Sequence, residues 1–165
     1  MRKVVYTDII DEIKKLMIYE SIEGVYLFGY DCLQDTSSTW DKWFENMEDA
    51  YEHCNTIYNI DKDDWITISD PFENCQHDFI LPTRIKGKEF GKPEWGQYQT
   101  LVDNIWVDIY KTDKCLNFGG FTGNERLYLS GLLFEFEKAK LNDVTIATKI
   151  LKALQFDNYS INQIL

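Results

Sequence analysis

Asp31 to Asp78 carries 13 acidic residues and two basic ones, Lys42 and Lys62, in a chain whose formal net charge is −11. Four basic and five acidic residues precede this stretch, and 11 basic and 10 acidic follow it, so the rest of the chain is close to neutral. The same stretch holds Trp40, Trp43, Phe44, Tyr51, Tyr58, Trp65 and Phe72, which must either join a core or present aromatic surface. Acid interleaved with aromatics suits a recognition surface, since charge steers partners and aromatic side chains anchor interfaces.

At 165 residues the chain is expected to form a single α+β domain with its own core. A hydrophobic content of 44%, with 15% aromatic, is too rich for disorder. The acidic balance argues against nucleic-acid phosphate or anionic lipid as partner, because both require Lys and Arg. It allows a basic protein. The start, MRKVVYTDIIDEIKKLM, lacks a long apolar core, and no run approaches the ~18 apolar residues of a membrane span. A cytoplasmic location is therefore expected. With no signal peptide, Cys32, Cys54, Cys75 and Cys115 are expected as free thiols.

Spacing of the apolar residues predicts the elements. Ile9, Ile10, Ile13, Leu16 and Met17 form a helical stripe, so an N-terminal helix is expected from Thr7 to Glu20, with Asp8, Asp11 and Glu12 at its positive end. Val25 to Tyr30 reads as a buried strand. Asn46 can cap a helix over Met47–Tyr58, with Glu48, Asp49 and Glu52 outward and Met47, Ala50, Tyr51, Cys54, Ile57 and Tyr58 inward. Trp65 to Ile68 alternates as a strand that Asp70-Pro71 ends, and Thr83 to Ile85 follows Pro82. Asp103-Asn104 forms a hairpin turn before Ile105–Tyr110. After a glycine-containing loop over Thr112–Asn124, a helix from Glu125 to Lys140 and a second from Asp143 to Leu154 are expected as an antiparallel pair, with a short turn capped by Ser160. The whole reads as an N-terminal helix, a mostly antiparallel meander and a C-terminal helix pair.

Motif chemistry is sparse. His53-Cys54 and Cys75-Gln76-His77 contain both histidines, but their spacing fits no zinc signature. Cys75 with His77 could form a thiolate and its base, which is the enzymatic alternative; Glu73 and Asp78 nearby would raise a thiol pKa rather than lower it. Asp61-Lys62-Asp63-Asp64 starts like a calcium loop, but Ile66 stands at the glycine position and Phe72 at the final carboxylate position. Gly119-Gly120-Phe121-Thr122-Gly123-Asn124 lacks the Lys-Ser/Thr of a phosphate loop. No pair among the 28 acids stands out as a glycosidase pair. No cofactor and no metal is expected.

The acidic-aromatic run Trp40-Asp41-Lys42-Trp43-Phe44-Glu45 through Asp61-Lys62-Asp63-Asp64-Trp65 resembles, in type, bacterial immunity proteins of polymorphic toxin and contact-dependent inhibition systems. The resemblance implies a non-catalytic protein that covers a basic toxin with an acidic face. The expected partner-binding residues are Asp61, Asp63, Asp64, Trp65, Asp70, Glu73 and Asp78 on loops, Glu48, Asp49 and Glu52 on the helix, and Trp40 and Trp43 as anchors. An ordinary solvated acidic surface on a structural or regulatory module is the plainer alternative.

Overall fold

The computed structural model describes residues 1–10, 12–109 and 120–165. Asp11, Tyr110, Cys115 and the glycine-loop residues before Gly120 lie outside the described residues.

Two strands stand where the N-terminal helix is expected. β1 (Arg2–Ile10) and β2 (Ile13–Ser21) pair antiparallel, with Val4 opposite Met17 and Ile10 opposite Ile13. The helical stripe is real as spacing but accidental as structure. Val4 and Val5 point to opposite faces of the sheet and both are buried, as are Leu16 and Met17. A strand covered on both faces is apolar at nearly every position, and such a run contains i, i+3 and i+4 matches without being a helix. β-Branched and aromatic residues at Val4, Val5, Tyr6, Thr7, Ile18 and Tyr19 favour the extended form.

β3 (Gly24–Tyr30) and β4 (Trp40–Phe44) extend this hairpin, and β5 (Ile66–Ile68) pairs with β1 from the other side. The resulting five-stranded antiparallel sheet has the order β4-β3-β2-β1-β5. A second antiparallel sheet, β6-β7-β8, is built from Thr83–Ile85, Tyr98–Val102 and Ile105–Ile109. Its β7–β8 turn places Asp103 and Asn104 at φ +49° and +63°, the left-handed pair that a two-residue hairpin requires.

Helices cover both faces of the larger sheet. α1 (Met47–Tyr58) lies on one, pressing Ala50 and Cys54 onto Val5, Leu16, Ile18, Val25 and Leu27. Asn46 caps it by accepting from the Asp49 amide. Ile57, expected inward, is 58% exposed at its last turn. On the other face α2 (Gly123–Leu129), α3 (Leu133–Asn142), α4 (Val144–Ala153) and α5 (Asn158–Ile164) bury Leu127, Leu132, Phe136, Ile150, Leu151 and Ile161 against Val4, Met17, Phe28 and Tyr30.

The expected C-terminal helix pair is thus three helices, α2, α3 and α4, and the expected short terminal turn is α5. The single helix expected over Glu125–Lys140 breaks at Ser130-Gly131, where Gly131 takes φ +77° against the Asp35 carboxyl; a Cβ there would lie 2.9 Å from Asp35 Oδ2. Thr122 caps α2, Asp143 caps α4, and Asp157 rather than the expected Ser160 caps α5.

Candidate functional site

α1 and the turn that follows it bring five acidic side chains together. Asn59 ends α1 in the left-handed conformation, and its amide returns to Asn55 O at 2.9 Å. Ile60, 4% exposed, then anchors the chain in the core, so that a 3₁₀ turn at Lys62–Asp64 lies alongside the helix. The turn is held by its own polar groups. The Asp61 amide donates to Asp64 Oδ2 at 2.8 Å, and Asn55 Nδ2 donates to Asp61 Oδ1 at 2.6 Å.

Between helix and turn is a hollow of about 530 Å³ lined by Glu48, Glu52, Asp61, Asp63 and Asp64 with Tyr51, Asn55 and Lys62. Lys62 Nζ donates to both Glu48 oxygens, at 2.6 and 2.7 Å, and lies 5.4 Å from the Tyr51 ring centre. Lys3 lies at the same distance from that ring. Lys149, from α4, donates to the backbone oxygen of Asp63. The site therefore holds ammonium groups of its own chain on a carboxylate and an aromatic ring, which is the contact a basic partner would make.

The other expected site residues are dispersed. Trp65 is 3% exposed and belongs to the core beneath α1, edge-on to Tyr51 at 6.2 Å; it is not a surface anchor. It sits at the start of β5 with its side chain directed toward the α1 face, where a large apolar ring is the natural filler. Trp40 is half-buried against the same core, its ring so close over Gly29 that a Cβ there would meet it at 2.1 Å. Trp43 is 51% exposed, yet alternation along β4 puts it on the opposite face of the sheet from Trp40 and α1. Asp49 is exposed on α1, with Oδ2 accepting from Asn46 Nδ2 at 2.9 Å.

Asp70, Glu73 and Asp78 follow β5, whereas Asp61, Asp63 and Asp64 precede it, so the two loop groups stand at opposite ends of that strand. Asp70 and Glu73 are exposed. Asp78 is half-buried and structural: Oδ2 accepts the Ser38 amide at 3.0 Å and its backbone oxygen accepts the Tyr30 hydroxyl at 2.6 Å.

Among the described residues the thiol and imidazole groups do not assemble into a metal centre. Burial pushes the Cys54 thiol up to about 12 and raises Cys75 as well, which disfavours a thiolate at either. His53 lies between the rings of Phe44 and Tyr58, and His77 lies 4.2 Å from the Tyr19 ring; burial lowers the pKa of both. Among the described residues no three His, Cys, Asp or Glu side chains are placed to hold a metal ion. The glycine loop from Gly120 onward serves as the entry to α2, where Thr122 and Glu125 form a capping box.

A buried polar cluster escaped the sequence reading. Arg2 and Lys15 are 2% and 0% exposed. The Arg2 guanidinium donates to the backbone oxygens of Ser69, Phe79 and Ile80. Lys15 Nζ donates to Gln34 O at 3.0 Å and lies 4.1 Å from the Tyr30 ring centre. Asp35 accepts the amides of Ile80 and Leu81, each at 2.8 Å, and its own amide donates to Leu129 O. Burial raises the Asp35 pKa, with the Lys15 charge and the two amides opposing that rise. Burial raises Tyr30 and lowers Arg2. This cluster ties the strands, the Phe79–Leu81 segment and α2 together. The available signal was Lys15 next to Leu16-Met17-Ile18, a cation inside an apolar run.

Among the described residues no helix is long and apolar enough to cross a membrane. Compared with known proteins, the chain matches no family model, no curated protein and no solved structure.

Proposed function

We propose that this protein is a non-catalytic binder of a basic protein and that the hollow between α1 and the Lys62–Asp64 turn is its contact face. One observation carries this: Glu48, Glu52, Asp61, Asp63 and Asp64 converge on a concave surface that contains the Tyr51 ring and already holds an ammonium group. Carboxylates around an aromatic ring favour Lys and Arg over neutral side chains, and the field of a chain with net charge −11 speeds encounter with a cationic partner.

The most concrete form of the reading is an immunity or inhibitor protein for a basic toxin domain, supported by the resemblance in type and by the acidic face. The contact set is narrower than the sequence suggested. Glu48, Glu52, Asp61, Asp63 and Asp64 remain in it; Trp65 and Asp78 leave it, because one is core and the other braces loops. The Cys75/His77 alternative gains nothing from a buried, unactivated thiol.

The test is a double charge reversal, Glu52→Lys with Asp63→Lys. Neither side chain takes part in the hydrogen bonds that hold the turn, unlike Asp61 and Asp64. Capture from the native host is expected to yield a basic protein with the wild type and not with the variant, and the purified pair is expected to associate faster at low salt. Equal capture and salt-independent association would remove the acidic face as the contact.

A further inference from the structure

β4 is a margin of the five-stranded sheet, paired with β3 along one side only. Among the described residues nothing hydrogen-bonds to the backbone of its outer side. An open strand edge is a row of unpaired N–H and C=O groups, which proteins ordinarily shorten or cover. The opposite margin is treated in that way: β5 has three residues, Ile66 and Ile68 are buried, and Pro71 follows closely.

β4 has five residues, and Asp41, Lys42 and Trp43 are exposed. Its two indoles fold back over β3 and do not screen the edge. Trp40 lies over Gly29 on the α1 face; Trp43 lies over Gly24 on the other, where an added Cβ would meet its Nε1 at 2.5 Å. The edge also carries one acid and one base. Among the described residues the side chains of Asp41 and Lys42 make no hydrogen bond or ion pair, and Lys42 lies 5.3 Å from the Phe44 ring centre.

Residues directly opposite in an antiparallel pair share a face and touch, so opposite charges stabilise the pair and like charges destabilise it. That disfavours a second copy of this chain. A two-fold pair of β4 strands must centre on a residue, because opposite residues share a face. Centred on Lys42, the lysine meets itself; centred on Asp41, the aspartate does. Centred on Trp43, Asp41 meets Glu45 twice. Centring on Trp40 or Phe44 leaves most of β4 unpaired.

We propose that the outer edge of β4 receives an extended strand of a partner protein, antiparallel, with an acidic residue opposite Lys42 and a basic residue opposite Asp41. Along the partner strand the acid comes immediately before the base. Main-chain hydrogen bonds supply the affinity and the two charge pairs fix the register. β-Branched or aromatic residues suit the places opposite Trp40, Trp43 and Phe44. The proposal goes beyond the acidic-hollow reading and does not depend on it, since a backbone edge needs no net cationic partner.

The probe is the capped peptide Val-Tyr-Glu-Lys-Val, and the control is Val-Tyr-Lys-Glu-Val, of the same composition and net charge. Each is titrated into the full chain and followed by amide NMR shifts. The probe is expected to shift the amides of β4 and β3 and to bind roughly fivefold or more tightly than the control, which sets like charges opposite both Asp41 and Lys42. N-methylating alternate residues of the probe is expected to abolish binding in one phase and spare it in the other, because only alternate amides point at the protein. In Asp41→Lys/Lys42→Asp the preference between the peptides is expected to reverse. Circular dichroism checks the fold of that variant, and if it unfolds the N-methylated pair on the wild type carries the test.

No binding, equal binding of the two peptides, shifts confined to residues outside β3 and β4, or N-methylation that acts alike in both phases overturns the proposal. Glu52→Lys/Asp63→Lys is expected to leave the affinity of this neutral peptide unchanged; loss of binding there would put the peptide on the acidic hollow and overturn the edge assignment. A wild-type dimer joined through the amides of β4 would assign the edge to a second copy, against the proposal.

Discussion

The two faces of the five-stranded sheet use charge in opposite ways. On the α1 face, Glu48, Glu52, Asp61, Asp63 and Asp64 stand in water around an open hollow, and their one close ion pair among the described residues, Lys62 with Glu48, is 55% and 73% exposed at its side chains. On the other face, Arg2 and Lys15 are enclosed, and both donate to backbone oxygens. Exposed pairs of the first kind contribute about 0–1 kcal/mol and are screened by salt. Buried charges of the second kind are screened little, and losing a partner leaves an uncompensated charge in a poor solvent. The charge of the hollow therefore stays open to water, and the enclosed charge of the other face holds the fold.

Removing the central acceptor of the buried cluster is the strongest way to break this contrast. Asp35→Ala strips the Ile80 and Leu81 amides of their acceptor and removes the carboxylate nearest in effect to Lys15. The expected loss is on the order of 3–5 kcal/mol, read as a lower urea midpoint. A loss below about 1 kcal/mol would place this cluster on the same footing as the surface pairs.

Trp65→Ala separates core from interface. At 3% exposure the indole is expected to contribute about 3–5 kcal/mol to stability, again measured by urea unfolding. Unchanged stability with weaker partner binding would return Trp65 to the interface.

The reversal Glu52→Lys/Asp63→Lys is expected to shift stability by no more than about 0.5 kcal/mol, while slowing association with a basic partner by about tenfold or more at low salt. Stopped-flow mixing across a salt series measures this. A large stability change would mean that the acidic face also holds the fold.

The smallest effect concerns acid. Glu125 and Asp157 sit at helix N-termini, and hydrogen bonds from Thr122 and Ser160 respectively hold their pKa values below the ordinary carboxylate range. A carboxyl lowered on folding adds stability above its unfolded pKa, and that contribution disappears as pH falls through the lowered value. α2 and α5 are thus expected to lose amide protection before the sheet does on acidification, as followed by hydrogen exchange. Asp35 has the opposite sign. Burial raises its pKa, so its ionisation opposes folding as pH rises from the ordinary range through the raised value.

Local chemistry made several elements legible. Asn46 and the 3.6-residue spacing of Ala50 and Cys54 marked α1, and Asp103-Asn104 marked the β7–β8 hairpin, because a cap and a left-handed turn are short-range requirements. The N-terminal hairpin was not legible. Its strands are buried on both sides, and the difference between a strand and a helix there depends on β3 and β5 pairing with them from elsewhere in the chain. The break in the helix expected over Glu125–Lys140 was hidden for a similar reason, since Gly131 turns where Asp35, nearly a hundred residues earlier, comes against it.

By itself the sequence determined that acid and aromatic side chains would be interleaved through Asp31–Asp78 and that Met47–Tyr58 would be an amphipathic helix with its carboxylates outward. Only the tertiary structure decided which of those residues meet. It moved Trp65 into the core, set Trp43 and Trp40 on opposite faces of β4, assigned Asp35 and Asp78 to bracing, and left five carboxylates around one hollow. Charge and period are properties of the chain alone. Burial is a property of pairs of segments far apart in it, and burial decides whether a charged or aromatic side chain holds the fold or faces a partner.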